Sequence, residues 1–253
     1  MTAILSVLVP AYNEQETIGS VLERVLALPI VREVVVVDDG STDETASIVE
    51  RWCATDGRVK LLRQGRNQGK TAAVLRALSA AEGEIIIIQD ADLEYDPKEI
   101  PDVIEPILEG HADVVYGSRF LVKRATRVLY FYHFLANNCL TFLSNLFTNM
   151  NMSDIETGYK AFRASVIKDI PLSSTGFGME VEITAALARL PVRVYEVPIS
   201  YYGRTYEQGK KIGTRDGIYA LYYILYYNAV GTRWGAYRRY TQLVSDRLRR
   251  TSR

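Results

Sequence analysis

Short unbroken apolar runs alternate, along the first half of this chain, with stretches in which apolar residues recur every three or four positions. Ile4–Val9, Val34–Val37 and Ile85–Ile88 are runs of the first kind, the pattern of strands buried on both faces of a sheet. Val59–Arg63 and Val114–Gly117 read as two more strands. Between them, Ile18, Val21, Leu22, Val25 and Leu26 share one helical face, and Thr71–Ala81 is an alanine-rich helix. Asn13 with Glu16, and Ser41 with Glu44, have capping-box spacing, the second opening a helix to about Cys53. Strands separated by helices of this length predict an α/β fold with a mostly parallel sheet and right-handed crossovers. In such sheets ligands bind at the carboxyl ends of the strands.

The second half changes character. Val128–Thr148 is rich in Leu, Phe and Tyr, but His133, Asn137, Thr141, Ser144, Asn145 and Thr148 interrupt it every three or four residues. This pattern describes an amphipathic helix with a polar stripe, whereas a membrane span needs about 20 predominantly apolar residues. Arg193–Pro198 reads as a strand. Ile218–Tyr227 carries Tyr219, Tyr222, Tyr223, Tyr226 and Tyr227, and tyrosine favours the boundary between apolar and wet surroundings. Both segments read either as core packing or as contact with a membrane surface or lipid chain.

At 253 residues the chain can bury one large α/β core. The expected organisation is a single catalytic domain over 1–230, followed by a basic helix or tail over 231–253. Apolar residues at 48% and charged residues at 24% fit a globular enzyme and exclude disorder. Lys plus Arg equals Asp plus Glu at 30 each, so no global charge argues for nucleic acid. Charge is uneven, however. Arg233, Arg238, Arg239, Arg247, Arg249, Arg250 and Arg253 face a lone Asp246, which suits a solvated tail or a surface for anionic lipid headgroups. Cys53 and Cys139 have no metal or redox spacing and fit a reducing compartment. Met1-Thr2-Ala3 leads almost at once into a strand, without the basic region of a signal peptide, so the expected location is cytoplasmic.

Three acidic or polar motifs follow predicted strands. Gln89-Asp90-Ala91-Asp92-Leu93-Glu94 comes directly after Ile85–Ile88. Carboxylates at i, i+2 and i+4 on a strand end can converge on one hard cation, Mg²⁺ or Mn²⁺, which commonly bridges to substrate phosphates. Val37-Asp38-Asp39-Gly40-Ser41 offers an acid to a base or ribose, and Pro10-Ala11-Tyr12-Asn13-Glu14 offers Tyr12 to a nucleotide pocket. Gly65-Arg66-Asn67-Gln68-Gly69-Lys70-Thr71 resembles a phosphate-binding P-loop but has three residues between its glycines where the motif needs four. No G-x-G-x-x-G occurs.

Pro10–Glu14, Val37–Ser41, Asn67–Lys70, Asp90–Glu94 and Gly117-Ser118-Arg119 together resemble family 2 of the inverting glycosyltransferases, which have the GT-A fold. Asp154–Lys160, Glu196-Val197-Pro198 and Arg204–Ile212 are similar to its polyprenyl-phosphate branch, the dolichyl-phosphate mannose or glucose synthases. The resemblance spans about residues 4–230. It implies transfer of a hexose from a GDP- or UDP-sugar to a polyprenyl phosphate, with inversion and with Mg²⁺ or Mn²⁺. Asp90, Asp92 and Glu94 would manage metal and diphosphate, Glu94 standing where the family often has Gln. Pro10, Tyr12, Glu14, Asp39, Lys70, Asp90 and Lys211 would hold the donor, and Asp92, Arg119, Arg204 and Lys210 would act on the reacting phosphates. Many relatives carry C-terminal transmembrane helices; this chain is expected to reach its lipid peripherally, from the cytoplasmic face of the membrane.

An ionised phosphate acceptor needs cations to position it more than it needs a base. A hydroxyl acceptor on a sugar or glycolipid needs a general base, for which Asp154, Glu156, Glu180 and Glu182 are all candidates. A non-catalytic GT-A-like binding subunit has no use for the clustered carboxylates.

Overall fold

The computed structural model describes residues 3–121, 128, 130–175, 178–203, 214–233 and 235–251. The first half alternates as expected: β1 (Leu5–Ala11), α1 (Ile18–Leu26), β2 (Val31–Asp38), α2 (Thr45–Thr55), β3 (Val59–Arg63), α3 (Lys70–Ala80) and β4 (Ile85–Ile88). Then come α4 (Ile100–Leu108), β5 (Val114–Ser118), α5 (Phe131–Thr148), β6 (Lys160–Arg163), α6 (Ala164–Ile167), α7 (Gly178–Leu187), β7 (Val194–Pro198), α8 (Thr214–Ala229) and α9 (Gly235–Thr251). The strands form one seven-stranded sheet in the order β3-β2-β1-β4-β6-β5-β7. All pairings are parallel except those of β6, which runs antiparallel between β4 and β5.

The β-branched run of β2 shows why the sheet is central. Val34 and Val36 point into the apolar layer built on α1 and α4, whereas Val35 and Val37 point into the layer built on α3, α7 and α9. Every side chain of such a strand is buried, so no alternation appears in its sequence. The basic helix α9 joins the second layer through Tyr237, Tyr240 and Val244.

Local expectations change in three places. Neither capping box forms: α1 begins at Ile18 and α2 at Thr45, with no side-chain cap on either. Instead Asn13, in the left-handed region at φ 55°, donates its backbone N–H to Ser41 Oγ (3.0 Å) and accepts from Thr42 N–H through Oδ1 (2.8 Å). These bonds tie the loops after β1 and β2 together. The helix predicted over Val128–Thr148 starts at Phe131. Its polar stripe faces inward, with Thr141 and Ser144 buried, while Phe131, Phe142 and Leu146 are each 67% exposed. Asn145 holds the stripe in place by bonding both N–H and C=O of Met152. On α8, packed against α5, Ile224 and Tyr227 are buried but Tyr219, Tyr222, Leu225 and Tyr226 are exposed. Among the described residues, no helix is long and apolar enough to cross a membrane.

Candidate active site

The carboxyl ends of β1, β2 and β4 surround a cavity of about 430 Å³. Pro10, Tyr12 and Glu14 reach it from the end of β1, Asp39 from β2, and Lys70 from the first turn of α3. Asp90, Asp92 and Glu94 enter after β4, and Arg119 after β5. Arg204, Lys210 and Lys211 lie outside the described residues.

Asp39 shapes one wall. It is buried, and Oδ1 accepts from Gln64 Nε2 (2.7 Å) and Gln68 N–H (2.8 Å) while Oδ2 accepts from Gly69 N–H (2.8 Å). The loop that resembles a P-loop is thus folded around a carboxylate, whose charge occupies the amides a phosphate would need. Gly40 makes this fit possible: at φ 74° a Cβ there would come within 2.7 Å of the Arg66 backbone.

The opposite wall carries alternating charge. Lys70 Nζ lies 2.8 Å from Asp90 Oδ1 and 3.4 Å from Glu180 Oε1. Burial opposes the lysine's charge, but the two carboxylates outweigh it and hold the ammonium protonated far above the usual lysine range. Gly158 closes over this pair, where a Cβ would sit 2.5 Å from Asp90 Oδ2.

The donor set suits a hard divalent ion, with a change in ligand count. Among the described residues, no three His, Cys, Asp or Glu side chains converge closely enough to hold a metal. The expected trio of Asp90, Asp92 and Glu94 therefore does not assemble. Tyr201 donates to Glu94 Oε2 (2.8 Å), so one oxygen of that carboxylate is engaged by the protein. All three line the cavity, and Mg²⁺ typically takes one or two protein carboxylates with phosphate and water completing the shell. Asp90 and Asp92 could hold such an ion.

Arg119 is paired rather than loose. It grips Asp154 with two parallel bonds, Nε to Oδ2 and Nη2 to Oδ1, both 2.7 Å. Its guanidinium lies over the Tyr201 ring at 5.2 Å. Asp154 is fully buried; burial opposes the Arg119 charge, and the adjacent carboxylate raises its pKa further above the arginine range. Asp154 is therefore a structural counter-ion. Glu182 is structural as well, accepting from Ser173, Ser174 and Tyr237 in the core. Of the four base candidates, only Glu156 and Glu180 line the cavity. Each has one buried carboxylate oxygen without a hydrogen-bond partner.

Burial, reinforced by the nearby Glu180 charge, pushes the Glu156 carboxyl up to about 8. Its folded pKa is above its unfolded value, so the native state holds an extra proton between them. The stabilising contribution is complete at acid pH and is lost as pH rises from about 4.3 through 8. Glu156→Gln, always neutral, is expected to flatten this decline. Urea unfolding of both proteins between about pH 5 and 9 checks it; parallel curves would place the ionisation elsewhere.

Two contributors escaped the sequence reading. Tyr201 has no motif around it, and Tyr95 joins through ring contacts with Tyr159 and Tyr201 and an accepted bond from Gly158 N–H.

Residues 6–171 match the family model described as Glycosyl transferase family 2. Over 173 residues the chain is 32% identical to the dodecaprenyl-phosphate galacturonate synthase of Rhizobium johnstonii, covering 66% of this chain but 50% of that protein. It thus spans half the length of that relative. Identity to the undecaprenyl-phosphate mannosyltransferase of Micrococcus luteus is 28% over 221 residues, with 81% and 86% of the two chains covered. Glucosyl-3-phosphoglycerate synthase of Mycobacterium tuberculosis, crystallised with UDP, superposes with a TM-score of 0.70 at 20% identity, covering 90% of this chain and 81% of that one. The same protein has been crystallised with Mn²⁺, UDP and glucosyl-3-phosphoglycerate. At that identity the likeness is one of fold, the GT-A fold.

Proposed function

The chain belongs to glycosyl transferase family 2 and is a glycosyltransferase, and from that premise we propose that it moves a hexose from a GDP- or UDP-sugar to a polyprenyl phosphate. The transfer inverts the anomeric centre and uses Mg²⁺ or Mn²⁺. The observation that carries this reading is the strand-end cavity, which Asp90, paired with the charged Lys70, shares with Asp92 and Arg119. The polyprenyl-phosphate sugar transferases among its relatives support the acceptor class. The crystallised neighbour with Mn²⁺ and UDP supports a metal-assisted donor.

In this reading Pro10, Tyr12, Glu14 and Asp39 line the nucleoside end. A bound divalent ion supplies charge neutralisation for the leaving diphosphate. Lys70, held protonated, keeps Asp90 in place and adds positive charge at the same point. Arg119, with Arg204, Lys210 and Lys211, which lie outside the described residues, takes the phosphate charge and lines the acceptor up with the anomeric carbon. Residues 1–230 form the catalytic unit, with α9 as a docked basic helix. A second reading, a hydroxyl acceptor, draws on Glu156, whose raised pKa suits a general base near neutral pH. Transfer of labelled sugar to polyprenyl phosphate, run against the matching polyprenol, separates the two.

A lipid acceptor has to be met at a membrane, and the outward apolar faces of α5 and α8 suit peripheral contact with its cytoplasmic surface. Phe142→Asp with Leu146→Asp is expected to abolish co-sedimentation with anionic liposomes while leaving the fold intact, because both side chains already face solvent. Wild-type binding should weaken with added salt. Absence of liposome binding by the wild type at low salt would assign these faces to another partner.

A further inference from the structure

A second hollow, of about 580 Å³, lies where the end of α7 meets the 3-10 turn Gly231–Arg233 and helix α9. It is remote from the donor cavity. Glu180, which lines that cavity, and Arg189, which lines this hollow, are nine residues apart along and just beyond α7, roughly 13 Å at helical rise. One face of α9 supplies Arg238, Thr241, Ser245 and Arg249, at helical spacings of three and four. The adjacent face, with Tyr237, Tyr240 and Val244, is anchored in the core, so the polar face is held in a fixed direction.

Charge in this hollow is unbalanced. Among the described residues, Arg189, Arg233, Arg238 and Arg249 line it against the single carboxylate of Asp246. Arg189 is positioned by neutral acceptors, donating to Thr232 Oγ1 and to the Asn228 carbonyl. Partial burial, and then the neighbouring Arg233 charge, depress its pKa below the usual arginine range. Guanidinium groups gathered beside hydroxyls, one of them fixed by its own hydrogen bonds and all of like charge, are an arrangement that an anion with several oxygens relieves.

We propose that this hollow binds a phosphate group, at a site separate from the donor and acceptor sites of the transfer reaction. The chemistry is shared by free phosphate or diphosphate and by the headgroup of an anionic lipid. The reading stands independently of the donor and acceptor assigned above.

The test is isothermal titration of the full chain with inorganic phosphate and with pyrophosphate, at low ionic strength and with metal removed. Flotation with phosphatidylglycerol vesicles, against phosphatidylcholine vesicles, forms the second arm. Arg233→Gln/Arg238→Gln changes two exposed side chains that line the hollow. Arg239→Gln/Arg250→Gln removes the same charge from exposed positions of α9 outside it. Circular dichroism confirms that both variants fold. The first pair is expected to weaken one phosphate site by at least about tenfold, the loss of one charge-assisted bond, while the control pair leaves it unchanged. Pocket-dependent binding of the soluble anions alone identifies a free phosphate as the ligand; pocket-dependent flotation with phosphatidylglycerol identifies the headgroup. Absence of any phosphate site affected by Arg233 and Arg238, or an equal loss in the control pair, would overturn the proposal. Failure of the acceptor assignment leaves the phosphate titration untouched, so the two can fail separately.

Discussion

Asp92→Ala is expected to remove the Mn²⁺-dependent part of nucleotide-sugar binding and to cut sugar transfer by at least about a hundredfold, the usual loss when a group stabilising transition-state charge is deleted. Asp92 stands at the cavity on the turn after β4. Its Oδ1 accepts from Glu94 N–H (3.1 Å), and the intervening Leu93 is held in the left-handed region at φ 60°. Backbone conformations of that kind persist in non-glycine residues where the surroundings impose them, and here the turn aims a carboxylate into the cavity. The side chain is part of no apolar layer, so the fold should survive its truncation. Binding is read from the rise in melting temperature that GDP- and UDP-sugars produce with and without Mn²⁺. Turnover equal to wild type would remove Asp92 from the mechanism.

The largest stability effect is expected at Asp154. Removing one member of a buried ion pair leaves the other charge uncompensated, which costs about 3–5 kcal/mol. Asp154 is fully buried, and the Arg119 side chain is only 10% exposed. Asp154→Ala should therefore lower the urea midpoint sharply with no change in slope. Arg119→Met combined with Asp154→Leu should recover most of that stability, because an apolar pair of similar volume avoids the desolvation cost. The double variant should nonetheless transfer no sugar, because the cation facing the cavity is gone. A midpoint for Asp154→Ala matching wild type would show that Arg119 finds solvent instead.

The parallel half of the sheet was legible because β1, β2 and β4 contain continuous apolar runs, and a helix such as α1 between them carries a clear face. β6 was not: Lys160–Arg163 is four residues long, begins with a buried lysine, and pairs antiparallel between β4 and β5. α4 was hidden by Pro101 and Pro106, although Ile100, Val103, Ile104 and Ile107 share its buried face. The capping boxes misled because Asn13 and Ser41 have the right spacing for a local bond yet bind each other across two loops. Spacing reports neighbours along the chain, whereas these bonds join residues 28 apart. The same reason explains the carboxylates. Asp90, Asp92 and Glu94 look equivalent in sequence, but Tyr201, 107 residues from Glu94, donates a hydrogen bond to one of them. Asp154, Glu156, Glu180 and Glu182 could be sorted only once Arg119 and Ser173 were seen to claim the first and the last. On α5 the period gave the polar stripe but not its direction, since periodicity defines a face without saying which way it points; the structure turns that stripe inward.

The account rests on the identity of the acceptor. Its most direct test is the initial rate of labelled hexose transfer from the donor that stabilises the protein, with Mn²⁺, to polyprenyl phosphate and to the matching polyprenol side by side. An acceptor phosphate with a second pKa near 6 is already ionised at neutral pH, so the account predicts product from the phosphate alone, at a rate that stays nearly level from about pH 7 upward. Product from the polyprenol and none from the phosphate, with a rate climbing through the pKa of Glu156, would contradict it.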